Sequence, residues 1–325
     1  MRILLTHTPH MRDNYYGARA LAGLASLGEV VLHQGSETLE GQALIAVAQG
    51  CDLIVADRAT ALPATIFDAL PVLKAALRCA VDIRNIDVAA ASLHGILVTR
   101  AKPGFVESVT ELVFGFLVDL NRGVSRAAAS FHAGRVPAAQ MGRQLSGTTI
   151  GIIGYGAIGR VVAPLAAHLG MRVLIADPHV TVNEPRFEQV DLPTLLANSD
   201  HVVCLAIANE ATENLIDANA FARMRRDAVF INVSRGNLVD EAALAAAIAE
   251  GKIAGAAIDV GRAPDQMPTP AVAALPNVIA TPHIGGLTPP AIEAQALHTV
   301  EQVRALVSGA MPEGATNAES WTRRT

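Results

Sequence analysis

Three short apolar runs of the chain end in side chains that could do chemistry. Ser234 and Arg235 follow the run AVFINV, Asp259 follows GAAI, and His283 follows NVIA within the segment TPHIGG. An arginine can hold and polarise a carboxylate or a carbonyl group, and a histidine can exchange a proton near neutral pH. These residue types suit hydride transfer to or from a small hydroxy acid.

A glycine motif predicts the hydride carrier for such a reaction. The motif GYGAIG directly follows the apolar run TIGII and directly precedes RVVAPLAAHL, and a second run, RVLIA, leads to Asp177. In a dinucleotide fingerprint the glycines allow a tight turn and a close approach of the backbone to the pyrophosphate, and the acidic residue binds the ribose. Because a carboxylate would repel a 2′-phosphate, Asp177 favours NAD over NADP.

These side chains converge only if the runs before them are parallel strands, whose carboxyl ends share one edge of a sheet. Short β-branched runs alternate with Ala-rich amphipathic stretches from RILLT onward, and the alternation restarts at TTIGII. This pattern is typical of α/β folds with parallel sheets, and 325 residues suffice for two domains. We predict a first domain from residues 1–100 plus 290–325 and a second from residues 101–289.

Two helices connect these domains in the predicted architecture. One follows Pro103 and Gly104, and the other starts at Pro289 and runs to about Gly309, where it packs back on the first domain. We expect the tail from Met311 to hang loose or to clasp a neighbouring molecule.

Composition excludes several other classes of protein. The formal net charge is −5 and charged residues make up 17% of the chain, which does not favour binding to nucleic acid or to an anionic membrane. Cys51, Cys79 and Cys204 lack metal-ligand spacing, so no metal is expected, and an odd number of cysteines fits a reducing, cytoplasmic location. No run is apolar enough for a membrane span or a signal peptide. The expected partner is a small molecule.

The motifs GYGAIG, INVSRGNLVDEAAL, GAAIDV and NVIATPHIGG, in this order and spacing, resemble the NAD-dependent D-isomer-specific 2-hydroxyacid dehydrogenases. The resemblance implies two Rossmann or flavodoxin-like domains separated by a cleft, a substrate domain and an NAD-binding domain, and a homodimer built on the latter. It also implies hydride transfer between NAD(H) and C2 of a small 2-hydroxy or 2-oxo acid. Arg235 would bind and polarise the 2-oxo acid, His283 would donate or accept the proton, and Asp259 would hold the nicotinamide amide.

The edge argument and the resemblance together give three sets of expected site residues. The catalytic set is Arg235, His283 and Asp265. The cofactor set comprises Gly154, Tyr155, Gly156, Ala157, Ile158, Gly159, Asp177, Ser234, Asp259, Gly285 and Gly286. The substrate set comprises Ala80, Val81, Asp82, Arg235, and the adjacent Tyr15 and Tyr16, which we place on a loop after the first strand.

The chain departs from the family pattern at its third catalytic position. In the family a glutamate stands five residues after the aspartate of GAAIDV and pairs with the histidine, whereas Pro264 occupies that position here. Asp265 is the nearest replacement, but it could equally be an exposed turn residue after the proline. If no carboxylate reaches His283, we expect a less efficient proton step at neutral pH.

A second departure concerns the substrate loop. The family sequence resembles GVGLDNID and holds the substrate carboxylate with backbone N–H groups, but this chain reads RCAVDIRNID, with Asp82 in place of a glycine. Asp82 could turn away to pair with Arg78 or Arg84, or it could pair with Arg235 or His283. Alternatively, the substrate is not a simple 2-oxo acid.

These departures leave two further interpretations open. The protein could be an NAD(H)-binding regulatory or interaction protein with weak or no dehydrogenase activity. It could also be a dehydrogenase that acts on an atypical alcohol or on a positively charged hydroxy acid.

Overall fold

The computed structural model describes residues 1–324, which form two compact units. Unit 1 comprises Met1–Gly104 together with the segment that begins at Pro289, and unit 2 comprises Phe105–Thr288. The boundaries expected from the sequence lay at residues 100 and 290. Each unit contains one sheet with helices on both faces, and the fold class is α/β with parallel sheets, as predicted.

Unit 1 contains a five-stranded parallel sheet in the order β2-β1-β3-β4-β5. The strands are β1 (Arg2–Leu5), β2 (Glu29–Leu32), β3 (Leu53–Ala56), β4 (Ala75–Arg78) and β5 (Leu97–Arg100). Every residue of β3 and β4 is buried, because helices cover both faces of the sheet. This strand order is that of flavodoxin-like folds, in which successive strands are added on one side of β1 and then, from β3 onward, on its other side.

Five helices alternate with these strands. They are α1 (Pro9–Tyr15), α2 (Ala18–Ala25), α3 (Gly41–Ala48), α4 (Ala64–Ala69) and α5 (Val88–Leu93). Thr8 caps α1 by accepting a hydrogen bond from the Met11 N–H, and Asp87 caps α5 by accepting one from the Ala90 N–H. Leu44, Ile66 and Phe67 bury one face of the sheet, so these short helices are held mainly by packing.

Unit 2 contains a seven-stranded parallel sheet in the order β12-β11-β10-β9-β6-β7-β8. The strands are β6 (Thr149–Ile153), β7 (Arg172–Ala176), β8 (Phe187–Gln189), β9 (His201–Cys204), β10 (Val229–Asn232), β11 (Gly255–Ile258) and β12 (Val278–Ala280). Read from β8, the order is that of a Rossmann sheet, and the strand order reverses between β6 and β9. Ligands of such sheets bind beyond the carboxyl ends of the strands at this reversal.

Seven helices flank the second sheet. They are α6 (Val106–Arg122), α7 (Val124–His132), α8 (Gly159–His168), α9 (Leu192–Asn198), α10 (Ala218–Arg223), α11 (Glu241–Ala249) and α12 (Pro270–Ala273). The helix predicted after Gly104 is α6, and Gly123 ends it in the left-handed conformation that favours glycine. Val113 and Leu117 of α6 lie in the same buried cluster as Ile150 and Ile231 of the strands.

The last helix, α13 (Pro289–Val307), returns to unit 1 as expected. Val300, Val303 and Leu306 pack in one buried cluster with Leu24 of α2. Gly23 of α2 faces α13 closely, because a Cβ at residue 23 would lie 2.9 Å from Val300 Cγ1. Among residues 1–324, no helix combines the length and apolar character that a membrane crossing would require.

The tail does not hang loose, so this part of the prediction was wrong. The Asn317 Oδ1 atom accepts a hydrogen bond of 2.8 Å from the Val98 N–H of β5, and Trp321 is buried with its indole N–H on the Lys74 carbonyl. Arg323 donates to three turn carbonyls, at Leu70, Pro71 and Leu73. The composition of the tail, which is rich in small and polar residues, did not predict these contacts, because the partners are backbone groups far away in the sequence.

Candidate active site

The glycine motif forms the turn between β6 and α8, and each glycine has its own structural reason. Gly154 has a φ of 96°, and a Cβ there would lie 2.8 Å from the Ala206 nitrogen. A Cβ at Gly159 would lie 2.5 Å from the Gly154 carbonyl oxygen. A Cβ at Gly156, in contrast, would meet nothing within 4 Å, so open space lies beside the turn. The first and third glycines make the turn possible, and the second leaves room for a ligand.

The other residues of the motif divide between this open side and the core. Gly156 and Ala157 are exposed, and Ile158 immediately precedes the first turn of α8. Tyr155 is buried, with its ring against Phe187 and under the Arg160 guanidinium. The Tyr155 side chain therefore packs within unit 2, whereas the exposed residues and the N-terminus of α8 form a surface suited to a phosphate group.

Asp177 stands at the end of β7, beside the glycine turn. Its Oδ2 atom accepts a hydrogen bond of 2.7 Å from the Tyr155 N–H, and its Oδ1 atom accepts one of 2.8 Å from the His179 N–H. Each carboxylate oxygen has a further lone pair for another donor. The aspartate thus fixes the turn and keeps acceptor capacity for a hydroxyl group.

Ser234 and Arg235 follow β10 and form a tight turn. The Ser234 hydroxyl donates to the Ala206 carbonyl at 2.6 Å, and the Asn232 amide donates to the Arg235 carbonyl at 3.0 Å. The Arg235 guanidinium donates to the Ser234 carbonyl through one nitrogen and has further N–H donors. The serine that we expected at the cofactor therefore also joins the loop after β9 to this turn.

Asp259 follows β11, and its carboxylate holds the segment TPHIGG in place. The Oδ1 atom accepts hydrogen bonds from the Thr281 hydroxyl and the Ile284 N–H at 2.6 and 2.8 Å, and the Oδ2 atom accepts one from the Gly285 N–H at 2.8 Å. The residue is 1% exposed. The aspartate expected at the nicotinamide amide is thus a buried anchor of the turn that carries His283.

The two glycines of this turn, Gly285 and Gly286, also lie close against neighbouring residues. Gly285 is buried, and a Cβ there would lie 2.9 Å from Asp259 Oδ2. A Cβ at Gly286 would lie 3.3 Å from the Phe105 Cβ atom. Both were expected at the cofactor, and the structure shows them closing the turn against Asp259 and Phe105.

His283 lies after β12 in a left-handed backbone conformation, with a φ of 56°. Its backbone N–H donates to the carbonyls of Asp259 and Thr281. Its Nδ1 atom lies 2.9 Å from the backbone carbonyl oxygen of Asp265. Asp265, the nearest replacement expected for the missing glutamate, therefore meets the histidine through a main-chain carbonyl in this hydrogen bond.

In unit 1, the loop after β4 carries the expected substrate residues. Ala80 is buried with its carbonyl bonded to the Ala101 N–H, and Val81 and Asp82 are partly exposed. The Asp82 carboxylate accepts hydrogen bonds from the Arg84 side chain at 2.6 to 3.0 Å. Pairing with Arg84 was one of the arrangements that the sequence left open.

A buried arginine, which the sequence suggested only as a possible partner of Asp82, supports this loop. Arg78 is fully buried and donates to the carbonyls of Asp57 and Thr60 and to the Asn85 side chain. Burial lowers the pKa of Arg78 to about 10. Only its position at the end of a strand could have signalled this role, since its partners are mostly backbone oxygens.

The two adjacent tyrosines do not share one environment. Tyr15 ends α1, rather than lying on a loop, and is partly exposed. Tyr16 is 1% exposed within the core of unit 1, and its hydroxyl lies 2.8 Å from that of Thr299 on α13. The expectation that Tyr16 contacts substrate is therefore corrected, because its ring and hydroxyl are both used in packing.

Comparisons with known proteins decide the family. The sequence model described as "D-isomer specific 2-hydroxyacid dehydrogenase, NAD binding domain" matches residues 114–285. The chain belongs to the D-isomer specific 2-hydroxyacid dehydrogenase family. The resemblance seen in the motifs is thereby confirmed, and the matched residues of this dehydrogenase, all in unit 2, are its NAD-binding domain.

Individual relatives of this 2-hydroxyacid dehydrogenase extend the similarity to both units. The hydroxypyruvate reductase of Thermotoga maritima is 33% identical over 273 residues, which cover 82% of this chain and 89% of the relative. The D-3-phosphoglycerate dehydrogenase of Mycobacterium leprae is 30% identical over 304 residues, or 92% of this chain, but the match spans only 57% of that relative. The crystal structure of TT0316 protein from Thermus thermophilus matches with a TM-score of 0.87 and 29% identity, covering 97% of this chain and 100% of that one.

Proposed function

We propose that this chain transfers a hydride between NAD(H) and C2 of a small 2-hydroxy or 2-oxo acid, with Arg235 and His283 as its catalytic residues. The observation that carries the proposal is the placement of both residues beyond strands of the sheet that also bears the glycine motif. Hydroxypyruvate, the substrate in the name of the Thermotoga maritima relative, is the first 2-oxo acid to test.

The residues that would hold NAD fit its chemistry. The open space at Gly156 and Ala157, next to the N-terminus of α8, suits the pyrophosphate, and Asp177 has acceptor capacity for the ribose hydroxyls. Bound NADH supplies a hydride, and bound NAD⁺ accepts one.

Arg235 and His283 divide the remaining work. The Arg235 guanidinium would bind the 2-oxo acid and polarise its C2 carbonyl, so that negative charge developing on the oxygen is stabilised. The His283 Nε2 atom would donate a proton to that oxygen during reduction and accept it from the hydroxyl during oxidation. The sum in the reductive direction is 2-oxo acid, NADH and a proton giving 2-hydroxy acid and NAD⁺.

The test uses the purified full-length protein with NADH and a panel of 2-oxo acids that includes hydroxypyruvate and glyoxylate. We expect loss of nicotinamide absorbance, and His283→Ala should reduce kcat by about 100-fold or more. His168→Ala is the matched control, because His168 is exposed at the far end of α8 from the glycine motif. Tight NADH binding without turnover on any acid would instead support a regulatory NAD(H)-binding protein.

Asp82 supplies the observation that favours an atypical substrate. Its carboxylate lies on the loop where the family holds a substrate carboxylate, and it pairs there with Arg84. If the native substrate is an uncharged or cationic alcohol, Asp82→Gly should gain activity on simple 2-oxo acids and lose it on that alcohol. Unchanged relative activities in the variant would argue against this reading.

We further propose that the protein is a cytoplasmic homodimer formed through unit 2. Exposed apolar side chains occur at Val124, Phe131, Val136 and Met141, on α7 and the segment after it, with exposed fractions of 55, 59, 84 and 101%. Such a set supports an association surface. In light scattering after gel filtration we expect a dimer that Phe131→Glu weakens and that Leu93→Glu, at an 89% exposed residue of unit 1, leaves intact. A wild-type monomer would contradict this proposal.

A further inference from the structure

The loop between β11 and α12, residues 261–269, holds the carbonyl that meets His283. Its ends are tied together, because the Gly261 N–H donates to the Gln266 carbonyl at 2.7 Å and the Ala263 N–H donates to the Met267 carbonyl at 3.0 Å. Asp265 and Gln266 both have positive φ values, of 56° and 57°. These left-handed residues turn the Asp265 carbonyl toward the His283 Nδ1 atom at 2.9 Å.

We propose that this main-chain carbonyl positions His283 in place of the family's catalytic carboxylate. The proposal rests on the proposed catalytic role of His283 and deepens it. A carbonyl oxygen can only accept a hydrogen bond, so the Nδ1 atom must carry a proton whenever this bond exists. The neutral ring then has its lone pair on Nε2, and the charged ring has its second proton there. The carbonyl thus keeps Nε2 as the atom that exchanges the proton in both directions.

The loop itself is anchored by Glu241 at the start of α11. One carboxylate oxygen of Glu241 accepts a hydrogen bond of 2.9 Å from the Arg262 N–H, and the other accepts one of 2.6 Å from the Thr269 hydroxyl. Glu241 therefore binds residues at both ends of the loop, and Asp265 lies between them. It does not touch His283 in any contact described for residues 1–324, so it is a positioning residue.

The Arg262 side chain provides a second anchor. Its guanidinium donates to the Val239 and Asn237 carbonyls and to the Asn214 side chain, and forms an ion pair of 2.9 Å with Glu213. The loop also packs directly on the turn that carries Arg235, because a Cβ at Gly236 would overlap the Gly261 carbonyl oxygen. The two catalytic residues are thereby supported by one segment of unit 2.

The experiment reads the protonated nitrogen of His283 directly. Full-length protein with ¹⁵N-labelled histidine is examined by long-range ¹H–¹⁵N NMR above the pH at which imidazole titrates, and His283→Ala assigns the signals. We expect the neutral ring of His283 to carry its proton on Nδ1, although a solvated imidazole favours the proton on Nε2. Observation of the Nε2-protonated form would overturn the proposal. This result does not depend on turnover, so it stands apart from any failure of the proposed function.

Two variants separate the carbonyl from the carboxylate of Asp265. Asparagine tolerates the left-handed conformation, so Asp265→Asn keeps the carbonyl in place and removes only the charge, whereas Asp265→Gly also removes the side chain. We expect the Nδ1-protonated signature to persist in both variants. A change to the Nε2-protonated form would show that the side chain is the real partner and would overturn the proposal.

Glu241→Ala tests the anchor, and Glu250→Ala at the other end of the same helix is its matched control, since Glu250 is exposed and forms its ion pair with the nearby Lys252. In Glu241→Ala the loop should be mobile, so the neutral His283 ring should populate both the Nδ1-protonated and the Nε2-protonated form. We also expect kcat to fall by about 10- to 100-fold, with little change in KM for NADH. If Glu241→Ala fails to fold, Thr269→Val removes a single bond and should shift the signals in the same direction. A folded anchor variant with the wild-type NMR signature and kcat would contradict the role of Glu241.

Discussion

At the scale of single residues, position 264 determines what kind of group meets His283, the histidine that we propose to be catalytic. A carboxylate next to an imidazole favours its charged form, whereas a carbonyl dipole does so less. Pro264 removes the family's carboxylate and also fixes the backbone before Asp265, whose carbonyl lies at the His283 Nδ1 atom. Compared with the family's glutamate, Pro264 therefore removes a negative charge beside His283 and also restricts the backbone conformation of the loop that contacts it.

Pro264→Glu should restore a carboxylate partner for His283. Reduction consumes the charged imidazole, so a carboxylate that favours this form should extend the reductive activity to higher pH, by about one pH unit or less. The measurement is kcat/KM for the best 2-oxo acid as a function of pH. Pro264→Gln is the matched control, since it changes the backbone in the same way without the charge. If both variants have the same pH profile, residue 264 does not reach the histidine.

At the scale of elements, the C-terminal tail lies along β5, the edge strand of the sheet of unit 1, and binds to it. The Asn317 side chain is buried, accepts from the Val98 N–H, and donates to the Ser92 hydroxyl and the Ile96 carbonyl. Trp321 adds apolar area to the cluster that contains Leu24 and Val300. The tail therefore stabilises the same sheet edge that would otherwise expose unpaired backbone groups.

Asn317→Ala should destabilise unit 1 by about 1–3 kcal/mol, because it leaves the buried Val98 N–H and Ile96 carbonyl without their side-chain partner. Urea denaturation monitored by the fluorescence of Trp321, the single tryptophan of the chain, measures this loss in unit 1. Asn14→Ala, at an exposed position of α1, should change the free energy of unfolding by no more than a few tenths of a kcal/mol. Equal midpoints for wild type and Asn317→Ala would mean that the hydrogen bonds of Asn317 contribute nothing to the stability of unit 1.

The sequence predicted elements whose signals are local and repeated. The alternation of strands and helices, the glycine motif and the helix after Pro289 each follow from periodicity and turn residues, and all are present. The contacts that escaped prediction are made by backbone atoms or between distant segments. Examples are the bond of the Asp265 carbonyl to His283, the bonds of Asn317 to β5 and the burial of Tyr16. These contacts depend on tertiary packing, which cannot be predicted from the residue type alone.

At the scale of the whole molecule, each unit contains a buried histidine whose pKa is lowered. Burial lowers the pKa of His7 in unit 1 from 6.5 to about 4, and Asp57, Arg12 and Arg78 also face it. Burial likewise lowers the pKa of His201 in unit 2 to about 4, with Arg143, Asp200 and Asp227 nearby. The Nδ1 atoms of His7 and His201 are both buried without a hydrogen-bond partner among residues 1–324.

These histidines predict that both units lose stability in mild acid. Between pH 6.5 and about 4 the unfolded chain binds more protons than the folded one, so the free energy of unfolding falls as the pH falls through this window. The loss should be about 1–3 kcal/mol for each histidine. Carboxylates with lowered pKa, such as Asp57 and Asp200, act only at lower pH, because their stabilisation persists until the solution becomes acidic enough to protonate an ordinary carboxyl group.

The two contributions can be separated within one protein. Trp321 fluorescence follows unit 1, and far-UV circular dichroism follows both units, during urea denaturation at a series of pH values from about 7 down to about 4.5. His201→Gln keeps an amide partner for Asn121 and cannot be protonated. The free energy of unfolding measured by circular dichroism should therefore depend less on pH in this variant. The pH dependence of the fluorescence transition should be the same as in the wild type. His168→Gln, at an exposed histidine of unit 2, should leave both dependences unchanged. A wild-type pH dependence in His201→Gln would show that His201 is already charged in the folded protein, and that burial does not hold it neutral.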